Sequence, residues 1–170
     1  TLHIEKEAAA DLFRWFPILA MILTPVLGSF LDHKGKGATM LMLGSLIMIA
    51  CHLSFAFLLP IYPNEWFALL IIVILGVSFS LVPAALWPSV PKIIDPVILG
   101  SAYSLIFWIQ NIGLCFVPLI IGMTLKATGG YLVPMLIFAS LGVLALILSF
   151  ALKAFDKKKG FGLEEPNIKE

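Results

Sequence analysis

Long apolar runs alternate with short polar segments along the chain. Five runs reach the roughly 20 residues that a helix needs to cross a bilayer, and they cover residues 12–31, 38–59, 66–90, 97–125 and 131–152. The 11 basic and 10 acidic residues all lie outside these runs, except Arg14. A membrane-spanning strand would alternate apolar and polar positions over about 10 residues, whereas these runs are continuously apolar. The pattern therefore predicts an all-α fold, a polytopic transmembrane bundle of five helices.

The composition excludes several classes of protein. Hydrophobic residues make up 61% and charged residues 12% of the 170 residues, so a soluble domain of this size could not cover its apolar surface. The net charge of +1 leaves no basic surface for nucleic acid. Three histidines and two cysteines are scattered, without the spacing of a metal site or a disulfide framework. With no phosphate-binding loop and no nucleophile–base pair, we expect no cofactor, no metal and no enzyme activity, and membrane lipid as the surroundings.

The lysines of the connecting segments predict how the bundle is oriented. With alternating crossings, eight lysines fall on one side of the membrane: Lys34, Lys36, Lys92, Lys153, Lys157, Lys158, Lys159 and Lys169. Two, Lys6 and Lys126, fall on the other side. The positive-inside rule then places the first turn and the carboxyl terminus in the cytoplasm. We therefore expect an extracytoplasmic loop at 1–11, the five-helix bundle at 12–153, and a cytoplasmic tail at 154–170. The tail should be polar and mobile, with little beyond Phe161 and Leu163 to bury.

The turn between the first two runs combines glycine, acidic and basic residues. Gly28 would allow two helices to approach closely. Asp32 could accept hydrogen bonds at a helix amino terminus, where negative charge is favoured. Gly35 would form the turn, and Lys34 and Lys36 would keep it on the cytoplasmic side. On these residues alone, a generic positive-inside turn remains an alternative.

The same turn resembles the Gly-x-x-x-Asp-(Arg/Lys)-x-Gly-(Arg/Lys)-(Arg/Lys) signature of the major facilitator superfamily, with departures at His33 and Gly37, where a basic residue is usual. The resemblance implies a partial major facilitator fold in which this turn is a cytoplasmic latch between the two halves of a transporter. In that family the signature follows the second helix of a six-helix half. The five runs then match helices 8–12 of twelve, and we interpret the chain as a fragment of a carrier whose amino-terminal half is missing.

Three further stretches resemble one branch of the superfamily. Ala-Leu-Trp-Pro closes the third run at 85–88, Leu-Gly-Ser-Ala-Tyr opens the fourth at 99–103, and Ile-Gln-Asn-Ile-Gly-Leu follows at 109–114. Animal members of this branch export dipeptides from lysosomes as uniporters, together with a glycosylated lysosomal membrane protein, and bacterial members look similar. The resemblance implies a secondary transporter of a small solute, a dipeptide, that works by alternating access. It implies the lysosomal membrane in a eukaryote and the inner or plasma membrane in a prokaryote.

The fourth run carries the polar residues best suited to bind a solute. Ser104, Trp108 and Asn111 recur at three- and four-residue steps and so share one helix face. Tyr103 and Gln110 belong to an adjacent stripe. An amide near mid-bilayer needs a polar partner, so we predict that these side chains contact a substrate. The alternative is that they hydrogen-bond neighbouring helices.

Trp87 lies between Pro83 and Pro88 near the end of the third run. Each proline lacks an N–H donor and frees the carbonyl group four residues earlier. Broken helices with free carbonyls are common at the substrate sites of transporters. Trp87 could therefore stack on a ligand or attract a cationic group. The alternative is a tryptophan at the membrane interface.

Two ionisable side chains lie inside the runs. Arg14 follows Asp11 by three residues, which favours an ion pair at the far interface, although an arginine in the far vestibule could also bind a peptide carboxylate. His52 lies near the middle of the second run, where hydrogen bonding between helices and a proton-sensing role are both open. The functional alternatives to a uniporter are an ion-coupled carrier of another organic solute and a non-transporting scaffold or receptor.

Overall fold

The computed structural model describes the backbone of residues 6–168 and the side chains of residues 13–168. This part of the chain contains no strand and forms five long helices: α1 is Lys6–Lys34, α2 Gly37–Leu53, α3 Glu65–Ile93, α4 Leu99–Thr128 and α5 Leu132–Lys159. α2 continues through a π-helical turn, Ser54–Leu58, and a last α-helical turn, Leu59–Ile61. Five helices are long and apolar enough to cross a membrane, which confirms the predicted all-α bundle.

Two helices, α1 and α5, extend beyond the predicted runs by more than one helical turn. α1 begins at Lys6, within the segment that the sequence predicts as a loop. α5 continues through polar turns to Lys159 and ends where Gly160 adopts a left-handed conformation, with a φ of 72°. Gly129 ends α4 in the same way, with a φ of 64°. The membrane sides on which the two ends of the bundle lie stay predictions.

α2 and α3 are the two inner helices of the bundle. α1 packs along α3, α2 packs along both α3 and α5, and the connections between the helices are short. α4 has few contacts with the other helices, and none of its residues is buried. The chain therefore forms a body of four helices, with α4 attached beside it.

Small residues let these helices approach closely. At the α2–α3 contact, a Cβ on Gly44 would lie 3.3 Å from Leu81 Cβ, and Ser78 Oγ donates a 2.7 Å hydrogen bond to the Gly44 carbonyl. At the α2–α5 contact, a Cβ on Gly142 would lie 2.7 Å from Ile49 Cγ1. In hydrocarbon, close packing and interhelix hydrogen bonds replace the hydrophobic effect as the source of helix association.

The bundle has two ends that differ in their polar residues. We call the end with the α1–α2 turn, the α3–α4 connection and the chain after α5 the signature end, and the other the opposite end. Residues 160–168, called the strap from here on, fold back onto the signature end, where Leu163 is only 2% exposed. The prediction of a mobile tail is therefore wrong for these residues, although Leu163 is one of the two residues that the sequence singled out for burial. Backbone hydrogen bonds to the signature turn and one buried leucine secure the strap.

Candidate functional site

The signature turn reverses the chain between α1 and α2 within two residues. Gly35 and Lys36 both adopt left-handed conformations, with φ of 70° and 66°. Glycine reaches this region without steric cost, whereas a lysine there is uncommon. The Gly35 N–H still donates to the Leu31 carbonyl at 2.7 Å, so α1 closes with a helical bond before the chain turns.

Asp32 lies in the last turn of α1, and among residues 13–168 its carboxylate bonds the strap and not a helix amino terminus. Its Oδ1 accepts a hydrogen bond from Asn167 Nδ2 at 2.6 Å. Its backbone carbonyl accepts from the N–H groups of Asn167 and Ile168, at 2.9 and 3.0 Å. The carboxylate and the main chain of Asp32 are therefore both engaged by the strap.

The strap supplies the cap that the start of α2 lacks. Lys36, the N-cap residue, makes no side-chain cap bond. Its N–H donates to the Glu164 carbonyl at 3.0 Å, and the Gly37 N–H donates to the Leu163 carbonyl at 2.9 Å. The Glu164 carboxylate accepts from the Thr39 N–H at 2.9 Å and from the Thr39 hydroxyl at 2.6 Å. A carboxylate at this position satisfies otherwise unpaired donors and is favoured by the helix dipole.

Charged side chains in the last turns of α3 and α5 hydrogen-bond the strap. Lys92 Nζ donates to the carbonyls of Gly162 and Glu165, at 2.9 and 2.8 Å. The buried Asp156 accepts a 3.0 Å hydrogen bond from the Leu163 N–H. The last turns of α3 and α5 are thus bonded to the same nine-residue segment, which spans 160–168.

Lys153 of α5 closes a polar network with Thr39 and Glu164. Its Nζ lies 2.5 Å from Thr39 Oγ1 and 3.6 Å from Glu164 Oε2. Because the ion pair is partly exposed, it contributes only about 0–1 kcal/mol to stability. Sequence reasoning missed most contributors to this end as site residues: Thr39, Lys92, Lys153, Asp156, Glu164 and Asn167. Of these six, Lys92 and Lys153 had a signal in the sequence, namely the excess of lysine predicted for one side of the membrane.

The glycines of the signature have different surroundings. A Cβ on Gly28 would meet nothing within 4 Å, so Gly28 provides no close helix contact to the part of the chain that the structure describes. A Cβ on Gly37 would lie 3.0 Å from the Leu163 carbonyl oxygen. The side chains of Lys34 and Lys36 are exposed. The strap therefore occupies the space next to Gly37, one of the two departures from the signature.

A second cluster joins α3 to the start of α4. The Trp87 ring stacks on Phe107, with centroids 4.9 Å apart and 26° between the planes, and lies 5.9 Å from the Tyr103 ring. The Tyr103 hydroxyl donates to the Trp87 carbonyl at 3.2 Å. Pro91, four residues after Trp87, lacks the N–H that would bond this carbonyl in a helix. The tyrosine replaces that donor, a role for Pro91 that the sequence analysis missed.

The polar residues of α4 lie on its uncovered surface. Asn111 Nδ2 and Ser104 Oγ donate to carbonyls four residues earlier in the same helix, at 2.7 and 2.9 Å. Trp108 is 63% exposed, and Gln110 is exposed as well. Neither Asn111 nor Ser104 hydrogen-bonds another helix among residues 13–168. The face is therefore open to whatever lies beside α4.

Arg14 and His52 lie apart from this cluster. Arg14 is exposed, about 30 Å along α1 from its end at Lys34. Asp11, its predicted partner, lies outside the described side chains. His52 is 9% exposed and faces Phe138 of α5, with ring centroids 5.2 Å apart, while its Nδ1 lies 2.8 Å from a carbonyl of its own helix. The structure thus brings Trp87 and Tyr103 together, but places His52 in the α2–α5 contact.

Five membrane-length helices and the signature turn are features of one class of membrane protein. The family model of the Major Facilitator Superfamily matches residues 1–167. The chain belongs to this superfamily, whose members are multi-pass membrane transporters. This assignment agrees with the resemblance of the signature turn.

The relatives of the chain include three animal transporters. It is 33% identical over 148 residues to the lysosomal dipeptide transporter MFSD1 of Bos taurus, a match that covers 85% of this chain and 30% of the relative. The proteins of the same name from Danio rerio and Homo sapiens are 33% and 30% identical over 146 and 147 residues. These matches cover 86% and 85% of this chain and 30% of each relative. The chain therefore spans about 30% of the length of these relatives, which are named as transporters and not as enzymes.

Proposed function

We propose that the protein containing this chain is a secondary transporter that moves small solutes, dipeptides in particular, by alternating access. Membership of the superfamily supports the transporter class, and dipeptide transporters at 30–33% identity support the solute. Because the chain spans about 30% of those relatives, the amino-terminal half of the carrier supplies the rest of the site. In this proposal the carboxyl terminus is cytoplasmic, the membrane is lysosomal in a eukaryote, and a glycosylated lysosomal membrane protein is the accessory partner.

The observation that carries the proposal is the uncovered polar face of α4. A membrane-length helix that exposed amides to lipid would leave polar groups without partners, which is costly in hydrocarbon. The face therefore meets a water-filled cavity or another part of the carrier. Asn111 uses one amide N–H within its own helix, so its carbonyl oxygen and second N–H remain for a solute. A dipeptide offers the matching peptide N–H and carbonyl groups.

Trp87 extends this site towards the signature end. Its ring stacks on Phe107, and the remaining aromatic surface can attract the ammonium group of a peptide. Arg14, at the opposite end, would attract the peptide carboxylate at the other entrance. The packing of His52 against Phe138 supports a structural role for this histidine in the proposed uniporter.

The test is dipeptide flux by the full-length protein in proteoliposomes. Asn111→Ala should lower the flux about tenfold at unchanged protein amount, which corresponds to about 1.4 kcal/mol of lost interaction. Ser140→Ala is the matched control, because its hydroxyl also bonds within its own helix, at 2.7 Å, but on α5. Equal flux in the two variants would exclude Asn111 from the site.

Two further outcomes would separate the alternatives. No flux of any dipeptide by the unaltered protein would contradict the proposal and favour a scaffold or a carrier of another solute. Flux that is driven by an imposed pH gradient and weakened by His52→Ala would contradict uniport and favour ion coupling.

A further inference from the structure

The strap bonds to four of the five helices at the signature end. It contacts α1 at Asp32, α2 at Thr39, α3 at Lys92, and α5 at Lys153 and Asp156. Within residues 13–168, no hydrogen bond joins it to α4, the helix with the candidate solute face. The strap therefore ties the four-helix body together and leaves α4 outside.

Two glycines of the signature are matched to this strap. A Cβ on Gly37 would lie 3.0 Å from the Leu163 carbonyl oxygen, and a Cβ on Gly35 would overlap the backbone of Glu164 and Glu165. The superfamily signature usually has a basic residue where this chain has Gly37. A side chain at Gly35 would displace the strap, whereas one at Gly37 would require the Leu163 carbonyl to shift by a few tenths of an ångström.

Asp32, the acidic residue of the signature, has a neutral partner. The amide of Asn167 donates to its carboxylate at 2.6 Å, and no lysine, arginine or histidine pairs with that carboxylate in the described part of the chain. A carboxylate–cation pair would be the stronger interaction. A cationic partner from elsewhere in the carrier could therefore displace Asn167.

We propose that Asn167 and Glu164 are positioning residues of the latch. Glu164 holds the start of α2, and Asn167 holds the Asp32 carboxylate. In the release step, a cation of the other half of the carrier replaces Asn167 at that carboxylate. The release step rests on the proposed transport function. The holding step is a property of this chain alone, so the two steps are tested separately.

Hydrogen–deuterium exchange of the full-length protein in lipid nanodiscs tests the holding step. Asn167→Asp places a second carboxylate next to that of Asp32, where the present distance is 2.6 Å, and like charges repel so closely. The amides of 163–168 and of 36–39 should then exchange about two- to thirtyfold faster, the range for loss of a helix cap.

Two further variants make this test specific. Asn64→Asp is the same substitution at the opposite end, where the side chain caps α3 through the Trp66 N–H at 2.8 Å and aspartate caps equally well. It should leave the strap amides unchanged. The double variant Asp32→Asn/Asn167→Asp exchanges donor and acceptor, and should restore slow exchange.

Unchanged exchange in Asn167→Asp, or no recovery in the double variant, would overturn the holding step. For the release step, Asn167→Asp should change the maximal rate of dipeptide flux severalfold but leave the half-saturation concentration nearly unchanged, since Asn167 bonds Asp32 and none of the proposed solute-binding residues. A change confined to the half-saturation concentration would overturn the release step. Absence of dipeptide flux in the unaltered protein would overturn the proposed function and the release step together, while the exchange result still decides the holding step.

Discussion

Alanine at Gly35 should loosen the signature end, whereas alanine at Gly28, in the same signature, should not. Gly35 has a φ of 70°, where alanine costs about 1–2 kcal/mol. A Cβ there would also lie 2.6 Å from the Glu165 carbonyl carbon and 2.7 Å from Pro166 N, and both are backbone atoms that cannot rotate away. Overpacking of this kind adds about 1–3 kcal/mol. The total of about 2–5 kcal/mol exceeds what single strap hydrogen bonds contribute, so we expect the strap to detach.

Gly28→Ala is the matched control, because a Cβ there would meet nothing within 4 Å. In a helix interior, alanine is also more stable than glycine, by about 0.5–1 kcal/mol. The measurement is deuterium exchange of the amides in 163–168. A loss of about 2 kcal/mol in the free energy that holds the strap corresponds to roughly thirtyfold faster exchange. We expect this increase for Gly35→Ala and not for Gly28→Ala. Gly35→Asn separates strain from contact, since asparagine tolerates a left-handed φ but still carries a Cβ. Slow exchange in Gly35→Asn, or equal exchange in both alanine variants, would refute the argument that the strap contact requires this glycine.

Three further predictions concern other contacts. Glu164→Ala should speed exchange of the amides in the first turn of α2 about two- to thirtyfold through loss of its cap, whereas Glu65→Ala, in the first turn of α3, should not affect them. Tyr103→Phe should weaken the α3–α4 contact by about 1 kcal/mol through loss of one hydrogen bond; exchange in the first turns of α4 measures this, and unchanged exchange would contradict it. Gly142→Ala should lower the thermal unfolding stability by about 1–3 kcal/mol, because its Cβ would lie 2.7 Å from Ile49 Cγ1; adding Ile49→Val should recover part of the loss, and no recovery would argue against that clash.

The helices could be predicted from the sequence because hydrocarbon permits few spanning structures. Every backbone group must be satisfied within the segment, so an unbroken apolar run such as 66–90 becomes a helix, and α3 is observed at Glu65–Ile93. Helix periodicity likewise places Ser104, Trp108 and Asn111 on one face of α4. Whether that face is covered depends on neighbouring helices, which periodicity does not describe. The same limit applies to His52, whose depth in α2 follows from its position but whose contact with α5 does not.

The all-α class, the five spans and the position of the signature turn follow from the amino-acid sequence, since each depends on residues that are close together in the chain. The contacts of the turn, in contrast, depend on how distant parts of the chain pack together. Thr39 and Glu164 are 125 residues apart, and Asp32 and Asn167 are 135 apart, so no period or local spacing relates them. The composition of the strap predicted a mobile segment, because the hydrogen bonds that stabilise the strap are made with residues of the helices. It becomes ordered where the unpaired N–H groups at the start of α2 need acceptors and where Leu163 finds a buried position.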